Sequence, residues 1–442
     1  MMNTKILKTI VCGGLFAMTA LSVNAQEKPI IFGQHVHSVS PDGKIRCAAT
    51  EYNKYVFENF AEDDKNNISE TIYRTANSTN QVLTMPVVVH VIHSGQQIGV
   101  GPNIADGQVL SQITVLNQDF NRMPGTPGFN TDPVGADTEV QFCLAQTDPN
   151  GNVTNGINRV NLGVASWNSE TQIRNQIQAV VQWDPTRYYN IYVVNFGGQM
   201  FNTLGYATLP YQTGLPGLYP GAGSAVDDGF VVGYKYFGSR ALFPSGTYET
   251  GYDRGRTSTH EMGHALGLLH IWGNANNSCT VDDYCPDTPM QSTANYYCSA
   301  NYSCSSQDMY RNYMDYTPDL CMNIFTQNQK SRIRQALQNG IRRATLLTSG
   351  VCSPPASTEK HDLGMVSLYP NPTNDVLNIF VPDSYDFSGD VTIYNTVGQQ
   401  VFTGKTTETN LYSIDVSGFT QGVYFVKINK GSQTKTLQFI KK

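Results

Sequence analysis

Three of the chain's eight histidines fall in one eleven-residue stretch, "HEMGHALGLLH", from His260 to His270. A spacing of four puts His260 and His264 one turn apart on the same face of a helix, so both imidazoles can reach one metal ion. Glu261 lies about 100° round from His260, beside such an ion rather than on it. There its carboxylate can hold and deprotonate a water. A helix cannot aim a third ligand back at the same ion from position 270. Gly267 resolves this, because glycine tolerates the left-handed conformation that ends a helix; the chain turns sharply and His270 arrives from below. Three nitrogen ligands with one open position is the arrangement of catalytic zinc. The five fixed positions would coincide by chance on the order of 10⁻⁵ times in a chain of this length, so the pattern is read as a site.

A second stretch, "RNYMDYTPDLC" (Arg311–Cys321), supplies residues for the same centre. The histidine pattern resembles the metzincin signature, which implies a methionine in a tight turn beneath the metal, and Met314 is the candidate for it. Tyr316 can bring its hydroxyl near the metal and stabilise the oxyanion of a tetrahedral intermediate. Without the histidines, Met314 reads as core filler and Tyr316 as one of many tyrosines. With them, both read as parts of the site.

Elements able to position these residues are written in the flanking sequence. "MPVVVHVIH" (Met85–His93) is a strand of β-branched residues. "DGQVLSQITVLNQDFNR" carries Val109, Leu110, Ile113, Leu116 and Phe120 at helical spacing. "EVQFCLAQ" and "YNIYVVNF" read as further strands. "SETQIRNQIQAVVQW" reads as a helix opened by Ser169 as N-cap, with Gln172 three residues on. A last long helix is expected after Phe325, through "QKSRIRQALQNGIRR". Strands alternating with amphipathic helices predict an α/β fold with a mostly parallel sheet. Pro354-Pro355 then mark a linker, and beyond it short alternating strands punctuated by glycine predict a small all-β, sandwich-like domain. The expected organisation is a signal peptide (1–25), a prosegment (26–73), a catalytic unit (74–352), a linker (353–362) and a C-terminal domain (363–442).

Composition narrows the setting. The chain has 442 residues, 40% hydrophobic and only 14% charged, with a net charge of −6 and no long basic block. Nothing in that balance points to nucleic acid or to an anionic membrane surface. Lys5 and Lys8, an apolar run from Ile10 to about Leu21, and Val23-Asn24-Ala25 form a secretory signal with Gln26 as the new N-terminus. No other stretch is suited to cross a bilayer, so the mature chain is expected to lack a transmembrane segment. Nine cysteines are present, and Cys12 leaves with the signal. Of the remaining eight, Cys279, Cys285, Cys298, Cys304 and Cys321 crowd after the histidines and read as disulfide staples in an exported, loop-rich segment. A cysteine zinc site is the other reading, but the CxxC pairs it prefers are absent. Cys47 stands alone in the prosegment, in "GKIRCAATE"; its thiolate could fill the fourth metal position until the segment is removed, or pair with another cysteine. If it is on the metal, seven cysteines remain and one thiol must stay unpaired. "CTVDDYCPDTP" places Asp282, Asp283, Asp287 and Thr288 in one oxygen-rich loop suited to Ca²⁺, or to a solvated acidic turn.

"HEMGHALGLLH", "VDDYCPDTP", "NYMDY" and "CMNIFTQNQ" together resemble the pappalysin family of metzincin metalloproteases, in its bacterial ulilysin or cytophagalysin branch. The resemblance runs from the Met85–His93 strand to about Arg343. It implies an upper subdomain with a twisted sheet and the active-site helix, over an irregular, disulfide-rich lower subdomain. Substrate would lie antiparallel to an edge strand containing Gly205, Tyr206 and Ala207. It also implies pairing of Cys298 or Cys304 with Cys321, a cysteine switch at Cys47, structural calcium, and Asp319 in the pocket just beyond the scissile bond. A carboxylate there would favour cleavage before Arg, which makes the Tyr73–Arg74 bond a natural self-processing point. "LYPNPTNDVLNI", "VTIYNTVGQQV" and "KTLQFIKK" resemble the C-terminal sorting domain of type IX secretion cargo. The implied partners are protein or peptide substrates and the type IX machinery, with passage through the periplasm to the surface or exterior of a Gram-negative bacterium. The competing expectation is a binding or adhesion protein on a silent protease scaffold. Such versions usually lack the glutamate or a ligand, and this chain has all four.

Overall fold

The computed structural model describes residues 28–60, 81–218, 225–273, 277–355, 366–380, 389–406, 411–430 and 433–442. The signal peptide, the Tyr73–Arg74 bond and most of the linker lie outside them.

The β-branched run forms strand β1 (Leu83–His93), which is buried along both faces as the centre of a parallel sheet should be. Strands β2 (Val140–Leu144), β3 (Ile157–Asn161) and β4 (Tyr189–Val194) all pair with it in parallel. β5 (Gly205–Ala207) forms the far edge, antiparallel to β6 (Phe230–Gly233), which itself pairs in parallel with β4. The sheet is therefore mostly parallel with one reversed edge, as the alternating pattern predicts.

Val87, Val89 and Val91 of β1 face a core shared with helix α2 (Asp106–Phe120) and helix α3 (Arg256–Ala265). On the other sheet face, Ile92, Tyr192 and Val194 meet Phe32, Tyr52 and Val56. The last two belong to helix α1 (Ala49–Phe60). The polar composition of residues 26–73 hid this helix: a single buried stripe of Ala49, Tyr52 and Val56 suffices to dock it.

Two helix expectations need correction. The segment after Ser169 does begin with the Ser169 side chain accepting from Gln172 N–H, at 3.4 Å. It then winds as a π-helix over Ile173–Gln178, with only a turn of α-helix on either side. The last long helix is two: α4 (Gln327–Asn339), opened by a capping box of Thr326 and Gln329, and α5 (Ile341–Leu346). Gly340, with ψ 129°, breaks them apart.

The tail forms two antiparallel sheets. One has three strands (Ser367–Tyr369, Val376–Phe380, Leu411–Asp415) and the other four (Asp390–Asn395, Gln400–Lys405, Gly422–Lys430, Gln433–Lys441). Leu377, Ile379, Val391, Ile393, Ile414, Val426 and Ile428 close the core between them. Among the described residues no helix is long and apolar enough to cross a membrane.

Candidate active site

Helix α3 carries the first half of the motif, and both of its ends are secured from a distance. At its N-terminus, Gly255 takes φ 79° and offers no side-chain cap. Asp319 substitutes: its Oδ2 accepts from the N–H groups of Arg254 (2.9 Å) and Arg256 (3.2 Å). Asp119 on α2 holds the same turn, through Arg256 (2.9 Å) and the Thr259 hydroxyl (2.7 Å). At the C-terminus, Gly267 adopts φ +88° and Leu268 N–H bonds back to Gly263 O at 2.9 Å, the pattern of a glycine-terminated helix. Two cations cover the remaining carbonyls, Arg332 Nε on Gly267 O (2.5 Å) and Arg343 Nε on Ala265 O (2.8 Å).

The turn at Gly267 brings His270 back, as the spacing requires. The Nε2 atoms of His260, His264 and His270 lie 3.1, 3.1 and 3.2 Å apart. Nitrogens bound to one zinc at tetrahedral angles would be separated by about 3.3 Å. Tyr313 O accepts from His260 Nδ1 (2.7 Å), and Leu268 O from His264 Nδ1 (2.8 Å). Each carbonyl fixes the tautomer that leaves Nε2 free to ligate. Burial lowers both affinities for a proton, His260 well below the usual range and His264 to about 4, so both rings are neutral donors. Cys47 Sγ completes the set: the four donor atoms all lie within 4.8 Å of one another, all buried. Three imidazoles and a thiol, dry and convergent, fit a zinc ion by the chemistry of the donors.

Glu261 stands beside this centre with its Oε1 buried and unpartnered. Burial pushes its carboxyl well above the ordinary range, and the Cys47 thiol donates to its Oε2 at 3.5 Å. Gly205 of the edge strand passes so close that a Cβ there would sit 3.1 Å from Glu261 Cγ and 3.2 Å from Oε1. Tyr316 Oη lies 3.1 Å from His270 Nε2 and donates to Cys47 O at 3.2 Å. Its backbone N–H is held by Asp315, which also accepts from Gln291 and Asn295. Met314 lies under α3; a Cβ on Gly263 would meet its Sδ at 2.4 Å.

The segment before β1 fills the cleft. Ile45 bridges Thr203 in parallel, with Ile45 N–H on Asn202 O (2.8 Å) and Leu204 N–H on Ile45 O (2.9 Å). Ala48 N–H donates to Gly205 O (3.0 Å), and Asn53 Nδ2 to Ala207 O (2.9 Å). Of the edge-strand residues, Gly205 and Ala207 thus offer backbone to the cleft, whereas the Tyr206 ring is buried against Phe32 and Tyr52. Sequence reasoning missed Arg46, which packs its guanidinium 4.4 Å above the Tyr252 ring and donates Nη2 to Thr317 O at 2.8 Å. Its adjacency to Cys47 was the only signal.

Three disulfides join Cys143–Cys352, Cys279–Cys304 and Cys298–Cys321, leaving Cys47 and Cys285 as buried thiols. Of the two partners open to Cys321, Cys298 takes it. The loop acids do not gather. Asp283 accepts from Thr288 (2.7 Å), while Asp287 turns to the start of α4, accepting from the Thr326 hydroxyl (2.6 Å) and Asn328 N–H (2.8 Å). Asp282 accepts from the Tyr284 N–H of its own turn (2.9 Å). Among the described residues the histidine–cysteine group is the only cluster of three or more such side chains placed for one ion.

This fold and site define a metzincin metalloprotease, and the comparisons agree. A family model described as pregnancy-associated plasma protein-A matches residues 172–338, and one described as a secretion system C-terminal sorting domain matches residues 367–442. An extracellular metalloprotease of Arthroderma otae is 31% identical over 260 residues, covering 58% of this chain and 78% of the relative. A Tannerella forsythia promirolysin mutant is 34% identical with a TM-score of 0.55, covering 69% of this chain and 97% of that one. Mature mirolysin of the same organism, in complex with a cleaved peptide, is 37% identical with a TM-score of 0.52, covering 61% and 97%. The chain belongs to the pappalysin family of metalloproteases and carries a type IX sorting tail, which directs it to the cell surface or the extracellular space.

Proposed function

We propose that this is a zinc endopeptidase made as a latent precursor, with residues 26–73 as prosegment, 74–352 as catalytic unit, 353–362 as linker and 363–442 as sorting domain. The carrying observation is the convergence of three imidazole nitrogens, 3.1–3.2 Å apart, beside one carboxylate. His260, His264 and His270 hold the ion. When bound, zinc supplies Lewis acidity toward the peptide carbonyl and toward water. Glu261 takes the proton of the attacking water and returns it to the leaving amine. The Tyr316 hydroxyl, next to His270, donates to the developing oxyanion. Met314 floors the site. Substrate adds to the edge strand through the backbone of Gly205 and Ala207.

Cys47 is the latency device: a buried thiol beside the three nitrogens occupies the position a substrate carbonyl needs. Asp319 gives the preference for cleavage before Arg, and self-processing at Tyr73–Arg74 follows from it. The resemblance supports calcium near Asp282, Asp283, Asp287 and Thr288. Only Asp283 and Thr288 have side-chain oxygens in contact, so an unfolding midpoint unmoved by added calcium would remove it.

The test is hydrolysis of casein by the processed protein, with and without a zinc chelator, beside a Glu261→Ala variant. The expected result is loss of activity on chelation, recovery on adding zinc, and a drop of about 10²-fold or more in the variant. Equal cleavage by the variant would end the mechanism. No cleavage by any form would favour a silent binding protein.

A further inference from the structure

Two places after the third histidine stands a tryptophan with no role in the chemistry above, yet its ring lies against two groups that have one. Gly273 N–H donates to His270 O at 2.8 Å, and Gly273 takes φ +59°, which closes a tight turn over residues 270–273. A Cβ on Gly273 would meet Asp282 O at 2.7 Å and Asp282 N at 2.9 Å, so the turn is wedged against the loop behind it. Within the turn Ile271 enters the core, and the Trp272 ring folds back onto His270. The two rings are stacked, with centroids 4.5 Å apart and planes 6° from parallel.

The same indole meets Tyr316 edge to face, at 4.7 Å and 75°. Tyr316 in turn lies 4.9 Å from the His270 ring at 79°, with its hydroxyl 3.1 Å from His270 Nε2. Three rings therefore pack pairwise: the third imidazole of the cluster, the phenol assigned to the oxyanion, and the indole. All are buried. Trp272 Nε1 has no hydrogen-bond partner among the described residues, so ring contacts rather than a hydrogen bond place the indole. The Tyr316 hydroxyl donates to Cys47 O, a contact that is lost when the covering segment leaves. The ring contacts that remain to Tyr316 are His270 and Trp272, with His260 and Tyr296 further off at 5.7 and 6.2 Å.

We propose that Trp272 is a positioning residue for His270 and Tyr316 together. Stacking on the indole sets the plane of the third imidazole, and the edge-to-face contact holds the phenol where an oxyanion will form before substrate arrives. The inference rests on the zinc-peptidase reading above and deepens it. An electron-rich indole face attracts an imidazole most when a bound cation polarises that ring, so the stack favours the metal-loaded state. A donor placed in advance costs no reorganisation at the moment of reaction. Neither role brings Trp272 into contact with substrate, so its loss falls on metal retention and on kcat rather than on KM.

Two variants of the full chain, processed before assay, test both halves. Trp272→Met keeps the bulk without the ring, and Trp272→Phe restores a ring; Trp272→Leu replaces the first should it not fold. Zinc affinity is read by competition with a chelator, in the absence of substrate. Trp272→Met is expected to bind zinc about tenfold more weakly or worse, and Trp272→Phe to recover most of that loss. Peptide kinetics at saturating zinc complete a cycle with Tyr316→Phe. Trp272→Met alone should lower kcat about tenfold with KM unmoved, and in the Tyr316→Phe background it should cost little more, because the hydroxyl it positions is already gone. Additive losses in kcat would overturn the Tyr316 half, and an unshifted zinc affinity the His270 half. Equal losses in the Met and Phe variants would overturn the assignment to ring stacking. A Tyr316→Phe variant of undiminished kcat would remove the oxyanion role on which the first half rests, while zinc affinity still decides the second.

Discussion

At the scale of single residues, the site is crowded to the limit of what its atoms allow. Glu261 is pinned between the histidine cluster and the backbone of the edge strand, and Gly205 is the residue that makes room. Adding one methyl by Gly205→Ala would press on Glu261 Cγ and Oε1 at 3.1 and 3.2 Å, and on Val231 O at 3.1 Å. Because a small displacement of a catalytic carboxylate costs rate far more than it costs folding, kcat should fall about tenfold or more. The unfolding midpoint should move little. Peptide kinetics and a melting curve on the same sample check both. An unchanged kcat would mean that Glu261 has slack the geometry does not show. Asp319 illustrates another economy: one oxygen caps α3 while the other is buried without a hydrogen-bond partner.

At the scale of elements, the motif helix works because of how it ends. Gly267 holds φ +88°, and a Cβ there would also approach Leu215 Cδ1 to 3.0 Å and Ala336 Cβ to 3.1 Å. Gly267→Ala is therefore expected to cost about 1–2 kcal/mol from backbone strain alone, and to misplace His270. Lower zinc stoichiometry by elemental analysis, together with a lower melting temperature, is the expected pair of outcomes. The central strand carries a pH dependence of its own. His90 is buried, with Asn190 Oδ1 at 2.8 Å, Asn158 Nδ2 at 2.9 Å and the Tyr192 ring stacked on it. Burial lowers its proton affinity from 6.5 to about 4, so the folded state takes up a proton less readily than the unfolded chain. Its contribution is then intact above about pH 6.5 and is lost as pH falls toward 4, by at most about 3 kcal/mol. Thermal unfolding between pH 7 and pH 4.5 should show the decline, and His90→Gln should flatten it.

At the scale of the whole molecule, segments distant in sequence lock the site. Cys143 on β2 is joined to Cys352 across a separation of 209 residues, tying the end of the last helical segment to the sheet. A loop of that size makes the bond worth about 2–5 kcal/mol through restriction of the unfolded chain. The Cys143→Ser, Cys352→Ser pair should melt lower by that measure under oxidising conditions and match the unsubstituted protein once both are reduced. The Arg332 and Arg343 caps on α3 are of the same kind, since residues from the last two helices finish a helix that begins some seventy positions earlier. The tail closes a core of its own over the residues that match the sorting-domain model.

The sequence by itself determined the grouping of the three histidines, the carboxylate beside them, the mostly parallel sheet and the all-β tail. Each of these is a short-range statement, because helical rise, strand alternation and the conformational freedom of glycine are fixed by local covalent geometry. The same patterning failed where the backbone departs from regularity, in the π-wound turn after Gln172 and at the break at Gly340. What only the tertiary structure decided were long-range choices. Cys298 rather than Cys304 met Cys321, Asp287 capped a helix, and a polar leading segment docked an amphipathic helix and laid Cys47 beside the three histidines. Pairings of this kind depend on which surfaces the folded chain brings within a few ångströms, and no periodicity along the sequence encodes that distance.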